Sequence, residues 1–243
     1  MSLNYKEGKP IVTLGKKTIY VEEKSGETTS IKLTGKDEIF LPAIDKKTER
    51  EILFVAAASG SGKSYWTKKY IDQYHKAYPK RKVYVFSSLE EDPTLDALKY
   101  LKRIKIKDPE FLRTEFEIKD FKDCLVIYDD TDAITNKKIQ GQLTAILDLI
   151  LDTGRHTNTS LAYTSHLLYA GHKTKHILSE AHTYVVYPLT SSKKHLEYLL
   201  STYLGFDKDQ IKRLVSLEGR AKVIRKTYPI VVWGDKEIYV RND

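Results

Sequence analysis

One stretch constrains the fold more than any other. Ala57-Ala58-Ser59-Gly60-Ser61-Gly62-Lys63-Ser64 stands directly behind the apolar run Ile52-Leu53-Phe54-Val55-Ala56 and ahead of a helical stretch from Lys63 to about Ala77. Two glycines one residue apart let the backbone turn its N–H groups inward with no Cβ in the way. The start of the helix adds its positive dipole end, a lysine and a hydroxyl. This is the pattern of a phosphate-binding loop, with Ala57 in place of the usual first glycine. Ser59, Gly60, Ser61, Gly62, Lys63, Ser64 and Tyr65 are the candidate nucleotide-binding residues. Lys63 is expected on the β- and γ-phosphates of ATP, and Ser64 as a ligand to Mg2+.

The five apolar residues ahead of the loop suit a strand covered on both faces. From Glu51 onward such runs alternate with helical stretches. Val83–Phe86, Cys124–Tyr128, Ser160–Thr164 and His182–Tyr187 read as strands. Helices are expected at Leu95–Leu101, Pro109–Phe116, Gln140–Asp152 (stopped by Gly154), about Ser192–Tyr203 and Asp207–Leu217. Ala221–Val240 alternates again, with a hairpin through Gly234-Asp235. Strand–helix alternation predicts an α/β fold with a mostly parallel sheet and helices on both faces. The first 45 residues differ. Short alternating runs at Thr18–Glu22 and Thr29–Thr34, set off by Gly15, Gly26 and Gly35, predict a small β appendage over residues 1–45. Pro42 and Asp45–Glu51 form a polar connector, and residues 46–243 form the main domain.

A second chemical signal is the apolar run Leu125-Val126-Ile127-Tyr128 ending in Asp129-Asp130. A buried parallel strand delivers its last side chains to the carboxyl edge of the sheet, where the phosphate loop also lies. Asp129 there can hold magnesium through water, and Asp130 can polarise the attacking water. The strand ending Thr164-Ser165-His166 brings a third polar group to the same edge. His166 is a candidate catalytic residue beside the γ-phosphate. Arg155, in Gly154-Arg155-His156 after a helix end, is a candidate to reach a neighbouring subunit's nucleotide. His172 and His176 are four apart but have no evident third ligand, and read as solvated loop histidines.

The order of these blocks resembles the genome-packaging ATPases of large double-stranded DNA viruses, the poxvirus-type branch of the FtsK–HerA superfamily. The blocks that carry the resemblance are Ala57–Ser64, Leu125–Asp130 and Arg155–His166, within about residues 50–170. Relatives in this branch often carry glutamine where this chain has His166. The resemblance implies a P-loop fold of the RecA/ASCE type and a homo-oligomeric ring that hydrolyses ATP to drive duplex DNA into a capsid. It also implies capsid or membrane-associated virion proteins as partners, and a place at the assembly site in the host cytoplasm or in the virion.

The rest of the chain agrees with that expectation. Lys plus Arg number 41 against 33 Asp plus Glu, a net charge of +8 that leans toward a polyanion. Lys212, Arg213, Arg220, Lys222, Arg225 and Lys226 form one basic cluster, and Lys102, Arg103, Lys105 and Lys107 another. Either could line a DNA path. The single cysteine, Cys124, excludes an internal disulfide framework and a multi-cysteine zinc site. No apolar run reaches the length of a transmembrane span, and no signal-peptide core opens the chain. Two other functions fit the loop. A small-molecule or nucleotide kinase would need an arginine-rich lid, which is not evident between the blocks. An ATP-responsive assembly protein with little hydrolysis would not need Asp130.

Overall fold

A computed structural model describes residues 1–15, 17–23, 28–34, 39–47, 50–226 and 229–241. The turn glycines Gly26 and Gly35, and Thr48-Glu49 of the polar connector, lie outside the described residues. The amino-terminal strands are β1 (Ser2–Asn4), β2 (Lys9–Leu14), β3 (Lys17–Glu22), β4 (Ser30–Lys32) and β5 (Leu41–Pro42). The alternating part then runs β6 (Ile52–Ala56), α1 (Lys63–Ala77), β7 (Lys82–Ser87), β8 (Leu101–Arg103), β9 (Cys124–Asp129), α2 (Lys137–Thr153), β10 (Ser160–Ser165), α3 (His172–Glu180) and β11 (Thr183–Val186). The chain closes with α4 (Lys193–Tyr198), which continues as a π-helical turn over Leu199–Tyr203, then α5 (Lys208–Ser216), β12 (Lys222–Arg225), β13 (Val231–Trp233) and β14 (Glu237–Val240).

Ten strands form one sheet in the order β4-β14-β13-β12-β11-β6-β10-β9-β7-β8. The six from β11 to β8 are parallel, and β12, β13, β14 and β4 extend the sheet antiparallel. The expected α/β fold with a mostly parallel sheet is what the chain adopts. One strand, β10, lies between the loop strand β6 and the acidic strand β9.

Alternation along each buried strand divides the core into two layers. Ile52, Phe54 and Ala56 face a layer closed by Leu143, Ile146 and Ile150 of α2 and Ile177 of α3. Leu53 and Val55 face the opposite layer, closed by Trp66, Tyr70 and Tyr74 of α1 and by Ile11, Val12, Ile19 and Val21 of the amino-terminal strands. Each Val, Leu, Ile or Phe among these, removed from water, contributes roughly 1.5–3 kcal/mol. β1, β3, β2 and β5 form a four-stranded sheet that covers the large sheet beside α1. β4 belongs to the large sheet, where it pairs with β14 at the edge.

 Two expected helices are absent. At Leu95–Leu101, Asp92 accepts from the N–H groups of Thr94 and Leu95 as a helix cap would, but the bonds that follow, from Leu98 N–H to Leu95 O and from Leu101 N–H to Leu98 O, close three-residue turns in place of a helix. The chain then extends as β8 and adds an edge to β7. Over Pro109–Phe116, Asp108 accepts from Glu110 N–H, and single turns there press Phe111 against Phe86 and Phe116. His172 and His176 correct a third expectation, because they lie on a helix, α3, rather than in a loop. His176 places Nδ1 2.7 Å from Asp148 and Nε2 3.1 Å from Asp152, both on α2, and so ties the two helices together.

Candidate active site

The loop between β6 and α1 is built as its residue types require. Ala57 takes the place of a glycine without strain because it still runs with the sheet, its N–H donating to Ser165 O at 3.1 Å. Gly60 and Gly62 have φ of +75° and +98°, the left-handed region that side chains disfavour. Gly62 is the N-cap of α1 and offers no side chain to its amides, and the first turn of α1 has no acidic residue. Such a helix end is suited to an anion. Ser61 Oγ donates to Thr190 Oγ1 at 2.8 Å, which anchors the loop to the segment after β11. Ser64 is half-buried on the first turn, and Tyr65 points outward with the Lys69 ammonium over its ring.

Sheet register sets the polar groups opposite the loop. Ser87, Asp129 and Thr164 are lateral neighbours at the carboxyl ends of β7, β9 and β10. Ser87 Oγ donates to Asp129 Oδ2 at 2.8 Å, and Thr164 Oγ1 donates to Oδ1 at 3.1 Å. The same Thr164 oxygen accepts from Asp130 N–H at 3.2 Å, so one hydroxyl positions both acidic residues. Asp129 is only 2% exposed. Burial, and then the like charge of Asp130, hold its carboxyl above the ordinary range, against the lowering effect of the two hydroxyl donors.

Asp130 follows with φ of +48°, a left-handed turn that aspartate tolerates better than most residues. The turn aims its carboxylate at the loop. Oδ1 pairs with Lys63 Nζ, and Oδ2 lies 3.1 Å from His166 Nε2. Lys63, 5% exposed, also approaches His166 Nδ1 at 3.5 Å. Lys63, Asp129, Asp130, Thr164 and His166 thus converge from one helix and two strands on one edge of the sheet.

The oxygen set suits magnesium. Asp129 is a buried carboxylate that pairs with no lysine or arginine among the described residues, and a hard divalent cation prefers such oxygens. Among the described residues no three His, Cys, Asp or Glu side chains gather into a metal cage. Magnesium held by Asp129 and Ser64 would complete its shell from water and phosphate.

Arg155 does not join this cluster. It is exposed on the 3-10 turn that follows α2 and precedes β10, at the amino edge of the sheet. The length of β10, about 20 Å at ~3.3 Å per residue, separates it from the loop edge. The close packing at Gly154 has its own cause, since a Cβ there would lie 3.4 Å from Arg50 Nη2, which caps α2 by donating to Ile150 O and Leu151 O.

The carboxyl-terminal basic cluster is corrected. Lys222 is 2% exposed and its ammonium donates to the carbonyls of Leu217 and Gly219. Arg225, 3% exposed, is held by Glu51 and by two carbonyls of the amino-terminal segment. Neither can line a DNA path. In the other cluster Arg103 is taken up by Asp96 and Leu89 O, and Lys107 pairs with Glu90. Sequence reasoning missed Ser87, although an apolar strand running into Ser87-Ser88 has the same form as the strand that ends at Thr164. It also missed Tyr187 and Thr190, which flank the loop and carry no motif.

No protein-family model matches the chain. It is 35% identical to the uncharacterized protein V3 of the Sputnik virophage over 246 aligned positions, covering 96% of this chain and 95% of that protein. Among solved structures it resembles the pCW3 conjugation coupling protein TcpA, determined as a monomer with ATPγS. The TM-score is 0.50 at 13% identity, over 97% of this chain and 70% of that one. The genome packaging NTPase B204 of Sulfolobus turreted icosahedral virus 2 aligns with a TM-score of 0.49 at 14% identity, over 80% of this chain and 98% of that one.

Proposed function

This chain belongs to the family of the Sputnik virophage protein V3 and has the fold of the coupling protein TcpA, and from that footing we propose that it is an ATP-hydrolysing motor that packages double-stranded viral DNA. One observation carries the ATPase part. The phosphate loop, its lysine and two acidic residues with different surroundings meet at one sheet edge, with Thr164 between the two acids.

The chemistry follows from those surroundings. Loop amides and the amino end of α1 take the phosphates. Lys63 exchanges Asp130 for the β- and γ-oxygens, which frees the Asp130 carboxylate to orient a water and accept its proton. Asp129 and Ser64 would hold magnesium, which when bound would neutralise phosphate charge. His166, on the far oxygen of Asp130, fixes the direction of that carboxylate. Because Arg155 lies at the opposite edge, its route to a nucleotide runs to a neighbouring copy in a ring.

The DNA part rests on the family resemblance and on where unpaired cations stand. α2, α3 and α4 each begin at the carboxyl edge with exposed lysines: Lys137 and Lys138, Lys173 and Lys175, and Lys194. None of these five is in an ion pair among the described residues. Helix dipoles disfavour cations at amino ends, so their accumulation there suits an external polyanion. The motor acts where virions assemble, in the host cytoplasm or in the particle, against the capsid. No helix of the described residues is long and apolar enough to cross a membrane.

The test is magnesium-dependent phosphate release from ATP. Wild type should turn over, Lys63→Ala should lose binding or turnover, and Asp130→Asn should bind ATP but hydrolyse it about a hundredfold more slowly or worse. Normal hydrolysis by a folded Lys63→Ala protein would overturn the assignment.

A further inference from the structure

The basic and acidic residues nearest the loop on its other side have no place in the chemistry above. β12 runs antiparallel to β11, and Lys222 at its start pairs with Val186 at the end of β11, which in turn pairs with Ala56. Arg220 therefore emerges at the carboxyl edge, next to the phosphate loop. β13 returns antiparallel, with Trp233 opposite Val223, so the turn holding Asp235 reaches the same edge. A cleft of about 310 Å3 lies between this hairpin and the loop. Its walls include Gly62, Trp66, Tyr187 and Trp233, and Arg220 and Asp235 supply its charges. A second cavity of about 190 Å3 shares Ser61, Tyr187 and Arg220 with the first and runs along Ser59 and Gly60.

The aromatic walls are fixed in place. Trp66 stacks on Tyr70 at 6.1 Å, and Trp233 Nε1 donates to Phe40 O at 2.9 Å. Tyr187 Oη donates to Gly62 O at 3.4 Å, so the cleft wall and the loop are joined. Arg220 is exposed, and no hydrogen bond or ion pair engages its guanidinium among the described residues. A cleft of this size with aromatic walls and a few charged groups is the form of a small-molecule site.

On the premise that the loop binds a nucleoside triphosphate, we infer that this cleft holds the nucleoside end, with Arg220 against the face of the base and Asp235 accepting hydrogen bonds from it. A guanidinium packs flat on an aromatic ring, and an ionised carboxylate, which only accepts, matches the N–H and O–H donors of a nucleoside. Arg220 thus serves the nucleotide rather than DNA.

The experiment compares ATP with inorganic tripolyphosphate, which has the phosphates and no nucleoside, by calorimetry on the full chain with magnesium. Wild type should bind ATP more tightly than tripolyphosphate. Arg220→Ala should weaken ATP about tenfold and leave tripolyphosphate within twofold. Ala221→Trp, which fills the cleft from its rim, should do the same. Equal weakening of both ligands, or no change in ATP affinity in either variant, would overturn the inference. So would a wild type that binds the two ligands equally, although the phosphate site would then stand. A wild type that binds neither ligand would bring down the nucleotide reading itself.

Discussion

Arg225→Ala should be among the most damaging single substitutions in this chain. The guanidinium lies between the two sheets. Nη1 donates to Ile11 O at 3.1 Å and Ala43 O at 2.9 Å, both in the amino-terminal segment, and Nη2 meets Glu51 Oε2 at 2.9 Å beside β6. Arg225 and Glu51 are 3% and 13% exposed, so water cannot replace the lost partner. Removing one member of a buried pair costs about 3–5 kcal/mol, because the other charge stays buried. Thr183 Oγ1, at 2.6 Å from Glu51 Oε1, offsets only part of that charge. At about 2–4 °C per kcal/mol for a chain of this size, Tm should fall by roughly 6–20 °C. Urea denaturation checks the magnitude, with exposed Arg220→Ala as a control expected within about 0.5 kcal/mol of wild type. Replacing both partners by apolar residues, as in Arg225→Met with Glu51→Leu, should recover much of the loss. A loss below about 1 kcal/mol for Arg225→Ala would refute the view that this pair joins the sheets.

Further outcomes follow from the site. Asp129→Asn should abolish magnesium-dependent nucleotide binding while raising Tm at neutral pH, because burial lifts the Asp129 pKa in the folded state and its ionised form opposes folding. That stabilisation should shrink as pH falls toward the ordinary carboxylate range, where wild-type Asp129 is also protonated in both states; thermal melts across pH check it. Replacing Lys137, Lys138, Lys173, Lys175 and Lys194 by alanine should weaken duplex binding and flatten the dependence of log K on log salt by up to about 4–5, measured by fluorescence anisotropy. Arg155→Ala should keep ATP binding and lose most turnover. Mixing it with Lys63→Ala protein should restore partial activity, and no recovery in rings shown to be mixed would remove the role in trans.

Much of this was legible in the sequence because the informative residues sit in local patterns. Five apolar residues before Ala57–Ser64 place β6, the loop and α1 together, and Leu125–Asp130 declares a buried strand with a charged end. The order of these blocks was enough to identify the packaging-ATPase resemblance and the α/β fold. What was not legible depends on pairing across the sheet. Nothing near Arg225 in sequence shows that it meets Glu51 or the carbonyls of Ile11 and Ala43, so a buried strand residue read as part of a basic surface. Leu95–Leu101 has helical apolar spacing, but the segment closes into three-residue turns and leaves them to pair with β7 as β8, a long-range contact that local spacing does not show. The Lys63–Asp130–His166 contact likewise brings together residues 67 and 103 positions apart, which only the position of β10 beside β6 explains.

The central claim is that ATP hydrolysis at the Lys63–Asp130 edge is coupled to duplex DNA. Steady-state ATP turnover with and without long double-stranded DNA, at low salt and with magnesium, tests it most directly. Turnover should rise several-fold with duplex, fall back as salt is raised, and be absent in Lys63→Ala. Turnover unchanged by DNA that the protein demonstrably binds, or transfer of the γ-phosphate to a small-molecule acceptor in place of water, would contradict it.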